Sequence, residues 1–179
     1  MSDWIYVDNS NVFIEGQRIS AVRKGMALDI WDAMENRIVD HDYRMSFGKL
    51  YEFVAGADRA KIARAVLYGS RPPITDTIWE LARRAGFEVR TYDRNRANKE
   101  KKIDTGITAV MTRDAYRDAS TGDIFTLVSG DADYVPAIEQ LREDGFQVDV
   151  VFWGHAATEL KAVASKFIDL NPQHQHLRV

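Results

Sequence analysis

The residues of this chain best suited to chemistry are carboxylates placed at the abrupt ends of apolar runs. Asp131 and Asp133 stand two apart in Val128-Ser129-Gly130-Asp131-Ala132-Asp133, directly after Ile124, Phe125, Leu127 and Val128 and before a helical pattern. Two acidic side chains in one short turn repel each other at neutral pH, so folding them together calls for a compensating cation. Hard divalent cations take oxygen ligands and keep waters, so a few convergent carboxylates are enough to hold one. Asp8 closes the run Trp4-Ile5-Tyr6-Val7 in the same way, and Asp104 flanks a stripe of Ile103, Ile107, Val110 and Met111 at helical spacing. Each acid also has a plainer reading. Asp8-Asn9-Ser10-Asn11 are turn formers whose side chains can hold Asp8 in one rotamer. Asp104 in a first helical turn is favoured by the helix dipole and by Lys102, and Asp133 is well placed as an N-cap. Asp131 has no such structural role and is therefore the stronger ligand of its pair. Asp114, near the end of the Ile103 stripe, can pair with Arg113 or Arg117 and is read as structural.

These acids need elements that bring them together. Strands are expected at Trp4–Val7, Ala63–Tyr68, Phe87–Tyr92, Ile124–Val128 and Val148–Phe152, alternating with helical patterns. Phe47, Leu50, Tyr51 and Val54 mark one helix, as do Ile78, Leu81, Ala82 and Ala85, for which Thr75 or Asp76 offers a cap; Tyr134, Ile138 and Leu141 mark another. Phe167-Ile168-Asp169-Leu170 offers a further short strand. Such alternation predicts an α/β layered fold with a parallel sheet and helices on both faces. The first and fourth strands are continuously apolar and belong at the centre, while the third alternates and belongs at an edge, giving the order 3-2-1-4-5. That order sets Asp8 beside Ser129 to Asp133, at the carboxyl rim where such sheets bind ligands. The helix carrying Asp104 starts at the same rim, so four carboxylates meet in one crevice. The crossover after the first strand is long and suggests a helical insertion around residues 17–44, whose Arg18, Arg23, Lys24 and Arg37 are either a solvated face or phosphate contacts.

The 179 residues fit one domain, and 24 Lys plus Arg against 27 Asp plus Glu give no global basic signature. A polyanion partner therefore needs a local patch, and Arg94, Arg96, Lys99, Lys101 and Lys102 form the most basic segment, either a solvated loop or a phosphate-binding one. No aromatic platform for bases stands out. The lack of cysteine removes disulfides, thiolate metal sites and thiol catalysis. No secretory leader is expected, since the chain enters a strand pattern at once, and no stretch approaches the roughly 20 apolar residues of a membrane span. The cytoplasm is the expected compartment. Residues 171–179, with Gln173-His174-Gln175-His176, read as a frayed tail.

Asp8-Asn9-Ser10-Asn11-Val12-Phe13 with Glu15-Gly16-Gln17, then Lys102-Ile103-Asp104, then Ser129-Gly130-Asp131-Ala132-Asp133-Tyr134 together resemble an NYN domain of the LabA-like type, a relative of the PIN-like nucleases. The resemblance runs from Trp4 to the last helix. It implies a Rossmann-like fold and a site binding Mg2+ or Mn2+ through Asp8, Asp104, Asp131 and Asp133, with Asn11 and Ser129 in support. It further implies hydrolysis of phosphodiester bonds, usually in RNA and otherwise in DNA. The expectation is thus a metal-dependent endoribonuclease with a two-metal-type acidic site, compatible with a homo-oligomer. Its rival is a non-catalytic module that binds RNA, a nucleotide or a protein through the same crevice.

Overall fold

The first apolar run forms strand β1 (Asp3–Asp8), buried along nearly its whole length. Because successive side chains in a strand point to opposite faces, Ile5 and Val7 join one apolar cluster while Trp4 and Tyr6 join the other. A strand must be covered on both sides for that to be stable, and β1 is the middle of a three-layer molecule. This computed structural model describes residues 1–71, 77–93 and 99–179, with side chains described at all of these except 71, 93 and 99–102.

Strands β2 (Ile62–Arg71), β3 (Glu88–Asp93), β4 (Ile124–Val128), β5 (Gln147–Phe152) and β6 (Lys166–Asp169) complete the sheet. All pairings are parallel, in the order β3-β2-β1-β4-β5-β6. The central placement of β1 and β4 and the edge position of β3 follow the sequence pattern, and the short run Lys166–Asp169 adds a sixth strand outside β5. Helices α1 (Asn9–Arg23), α2 (Ile30–Glu35), α3 (Phe47–Ala55), α4 (Thr77–Ala85), α5 (Lys99–Arg117), α6 (Val135–Glu143), α7 (Thr158–Val163) and α8 (His174–Leu177) surround it. Val12, Leu50, Trp79 and Leu177 bring α1, α3, α4 and α8 onto one face, whereas Ile107, Ile138 and Leu160 bring α5, α6 and α7 onto the other. Residues 17–44 hold the end of α1, all of α2 and their connections. Among the described residues no helix is long and apolar enough to cross a membrane.

Three local expectations are corrected. Helix α4 buries Trp79 and Ala82, leaving Leu81 55% exposed and Ile78 also exposed, because the largest side chain takes the core and rotates the helix about it. The segment 171–179 is not frayed. His174 is fully buried, stacks on Tyr43 at 4.3 Å between ring centroids, and donates from Nε2 to the Gly16 carbonyl at 3.0 Å; Leu177 is buried and Met45 pairs with Arg178. Finally, α5 begins at Lys99, so Asp104 sits in its second turn rather than its first.

Asp114 of α5 ties the helix to the sheet as an entirely buried carboxylate. It accepts from the Tyr6 hydroxyl at 2.9 Å, from Arg64 Nη1 at 2.8 Å and from Arg113 Nη2 at 2.7 Å. Burial alone would raise its pKa, and the hydrogen bonds from Arg113, Tyr6 and Arg64 outweigh this and hold it below the ordinary carboxylate value. Removing one partner of a buried charge network strands the others, so Asp114→Ala is expected to cost about 3 kcal/mol or more in denaturant unfolding.

His174 gives a pH signature. Burial first, and then the positive charge of Arg23, lower its pKa, against the opposing pull of the Gly16 carbonyl. The folded chain thus binds this proton less readily than the unfolded chain, whose imidazole titrates near about 6.5. The stability is fully present above that pH and is lost as pH falls below it. Asp40, held down to about 2 by Lys24 and Ser20, loses its contribution only below the ordinary carboxylate range. The melting temperature should therefore fall between pH 7 and pH 5, and His174→Gln, though less stable at pH 7, should show a flatter profile across that window.

Candidate metal centre and its crevice

The site lies where the connections leave β1 and β4 on opposite faces of the sheet, the position at which doubly wound sheets open a crevice. Asp8 ends β1 and is the N-cap of α1, accepting from the Asn11 backbone N–H at 3.1 Å. The chain passes from strand to helix without a loop, so Asn9, Ser10 and Asn11 are the first helical residues rather than a turn. This points the start of α1 into the crevice. Asp8 remains buried there at 6% exposure.

Asn11 joins the two sides. Its Oδ1 accepts from the Ser129 hydroxyl at 3.1 Å and from the Gly130 backbone N–H at 2.9 Å, so one carboxamide fastens α1 to the loop after β4. The loop is seated from behind by Phe152, whose ring a Cβ at position 130 would overlap. That close approach is what requires glycine in Ser129-Gly130-Asp131. Asp131 follows as the cap of the short 3-10 turn Ala132–Tyr134, accepting from the Asp133 N–H at 3.0 Å. The capping role expected of Asp133 thus belongs to Asp131, because the chain turns two residues earlier than the helical pattern suggests; α6 has no side-chain cap at all. Asp133 is left exposed.

Asp104 reaches the same place from α5. Its Oδ1 accepts from the hydroxyl of Tyr134 at 3.0 Å. Tyr134 is fully buried, and burial, followed by the negative charges of Asp8, Asp104 and Asp131, raises its pKa far above that of an ordinary phenol. The hydroxyl therefore stays protonated and remains a donor. Asp104, Asp131 and Asp133 each offer an oxygen, all within 4.8 Å of one another. Asp8, Asp104 and Asp131 line one pocket of about 210 Å³ together with Ser10, Asn11, Glu15 and Arg18. The four acids therefore do not form one set: Asp8 shares the pocket with Asp104 and Asp131, whereas Asp133 lines a neighbouring cavity with Asp104.

Of the supporting residues, Asn11 and Ser129 act as expected, through the clamp. Asn9 is buried beside Asp8 at the start of α1, and its Oδ1 has no hydrogen-bond partner among the described residues. Arg94 and Arg96 lie outside the described residues, as do Thr75 and Asp76. Lys99, Lys101 and Lys102 begin α5, with their side chains not described. Three contributors carried no clear sequence signal. Tyr134 read only as a core position. Glu15 is paired closely with Arg18 and accepts from His155 Nε2 at 2.7 Å, so a buried acid, a base and a half-buried guanidinium stand together on the pocket wall. Spacing of Glu15 and Arg18 at i, i+3 was the available hint; His155 is remote in sequence.

A parallel sheet in this order, with acids gathered at the β1/β4 rim, is a Rossmann-like α/β domain consistent with the PIN-like fold. The chain matches the NYN domain family over residues 5–171 and belongs to that family. A search of curated proteins gives no match.

Asn11→Ala removes the acceptor for both Ser129 and Gly130 and leaves their donors inside the crevice. The expected loss is about 1–3 kcal/mol in chemical denaturation, and Asn11→Asp, which keeps the acceptor but adds a charge to the acidic pocket, should not restore full stability.

Proposed function

We propose that this chain is a metal-dependent phosphodiester hydrolase, an endoribonuclease of the LabA-like type acting on RNA. The observation carrying this reading is the gathering of carboxylate oxygens from Asp104, Asp131 and Asp133 within 4.8 Å, with Asp8 lining one pocket together with Asp104 and Asp131. Exclusively hard oxygen donors fit Mg2+ or Mn2+ and not a soft-ligand metal. Asp8, Asp104 and Asp131 would hold the cation, with Asp133 holding a second or orienting its waters. A divalent ion bound there supplies Lewis-acid activation of water and stabilisation of charge on phosphate oxygens.

The protein's own groups have definable tasks in that reaction. Tyr134 fixes one Asp104 oxygen and, being unable to ionise, adds no negative charge where a phosphate must enter. Asn11 keeps Asp131 in register with Asp8. Arg18, restrained by Glu15, offers the positive charge on the pocket wall that a scissile phosphate needs amid carboxylates. The basic segment with Arg94, Arg96, Lys99, Lys101 and Lys102 would follow the backbone beyond the pocket, which makes binding weaken steeply with salt.

The test is cleavage of mixed RNA and DNA by purified protein with manganese or chelator, alongside Asp8→Asn and Asp131→Asn. Cleavage of RNA that needs the metal and drops roughly 100-fold or more in each variant supports the reading, a loss worth about 3 kcal/mol in the barrier. Metal-dependent cleavage that persists in both variants would mark a contaminant. RNA binding without cleavage would move the assignment to the non-catalytic module. In the same assay, Tyr134→Phe should raise the manganese concentration needed for half-maximal rate by roughly 10–100-fold, because outer partners orient ligand carboxylates.

A further inference from the structure

Trp4, Trp79 and Trp153 are buried, whereas Trp31 is 63% exposed. An exposed indole costs free energy in water unless something covers it. Trp31 stands at a cavity of about 460 Å³ whose walls include Val22 and Arg23 of α1, Ile30 of α2 and His155 of the turn after β5. This cavity adjoins the acidic pocket. Glu15 lines the pocket and His155 lines the cavity, and the 2.7 Å hydrogen bond between them is the partition. Both spaces also run along α1: residues 14, 15 and 18 face the pocket, and 19, 22 and 23 face the cavity. Residues 15 and 22 of a helix are about 10 Å apart along its axis.

The chemistry of the second space is that of a stacking site with a cation at its floor. Arg23 donates to the Asn171 carbonyl at 2.9 Å, and no carboxylate pairs with it among the described residues, so its charge is held in place and not neutralised. An indole offers a π face to any base, and such stacking is tolerant of sequence. We propose that this cavity is a nucleobase subsite, in which a base of single-stranded RNA stacks on Trp31 while the backbone beside it passes Arg23 and Arg18 toward the carboxylates. The inference rests on the nuclease reading of the acidic pocket and adds to it that the substrate is unpaired, since a base inside a duplex cannot present its face to an indole. Glu15 and His155 then separate the space for the base from the space for the phosphate.

Trp31 also provides the readout, because the other three indoles are shielded. A short oligouridylate with phosphorothioate linkages that resist hydrolysis, added with magnesium so that the carboxylates are charge-compensated, should quench the exposed component of tryptophan fluorescence and bind full-length protein measurably by anisotropy. Trp31→Ala should weaken binding about 10-fold, Trp31→Phe should retain most of the affinity, and an oligonucleotide of abasic sites should bind both proteins alike. Circular dichroism confirms that the variants are folded, and quenching in the unsubstituted protein gives an independent check. Equal affinity of Trp31→Ala and the unsubstituted protein, or RNA binding without quenching, overturns the subsite while manganese-dependent cleavage can still stand. Tighter binding to a duplex than to the single strand also overturns it. Absence of any RNA binding by the unsubstituted protein overturns both the subsite and the reading on which it rests.

Discussion

Like charges brought to one rim of a sheet repel, and the fold is arranged to hold Asp8, Asp104 and Asp131 together in spite of it. Each acid is fixed by a different device. Asp8 caps α1, Asp131 caps the turn before α6, and Asp104 receives the Tyr134 hydroxyl. None of these devices needs the neighbouring acid to move: two are backbone N–H groups and the third is the Tyr134 hydroxyl. A backbone N–H offered to Asp8 and to Asp131 fixes the rotamer of each carboxylate at the rim. On the proposed reading, such a pocket would take a cation before it takes a phosphate.

That constraint explains why the rest of the molecule is stiff around the rim. Asn11 binds the wall from β1 to the wall from β4 through two hydrogen bonds on one oxygen. Phe152 leaves room behind the loop only for glycine. At the far part of α5, Asp114 with Tyr6, Arg64 and Arg113 anchors the same helix that carries Asp104. Ten residues separate the two acids on one rigid element, so the buried network serves the position of the rim acid as well as stability. Charge at that network is fully compensated by arginine, in contrast to the crevice, where Arg18 is the cation on the pocket wall among its described lining.

Much of this was legible in the sequence because strong constraints leave strong patterns. Trp4-Ile5-Tyr6-Val7 reads as a doubly buried strand since both faces are covered, and the wet-dry alternation of Phe87 to Tyr92 reads as an edge. Those two patterns gave the sheet order, and with it the meeting of Asp8 and Asp131. The finer assignments failed where a single residue decides geometry. Whether Asp131 or Asp133 caps depends on a 3-10 turn of three residues, below the resolution of any periodicity. Tyr134, Glu15 and His155 work through tertiary contacts that no spacing records. The tail misled because His174 and Leu177 are polar-flanked in sequence, yet Tyr43 and the Gly16 carbonyl give His174 a buried place. The family match over residues 5–171 spans all three motifs, and the motifs bear on the site only when read with the sheet.

The claim that the crevice is strained by its own charge until a cation arrives is open to a direct measurement: thermal unfolding of the unsubstituted chain and of Asp131→Asn, each with chelator and with manganese. Asparagine preserves the cap while removing one charge. The account predicts that manganese raises the unsubstituted midpoint, that Asp131→Asn melts at least as high as the unsubstituted chain in chelator, and that it gains much less from manganese. A midpoint unmoved by manganese, together with a lower midpoint for Asp131→Asn in chelator, would contradict it.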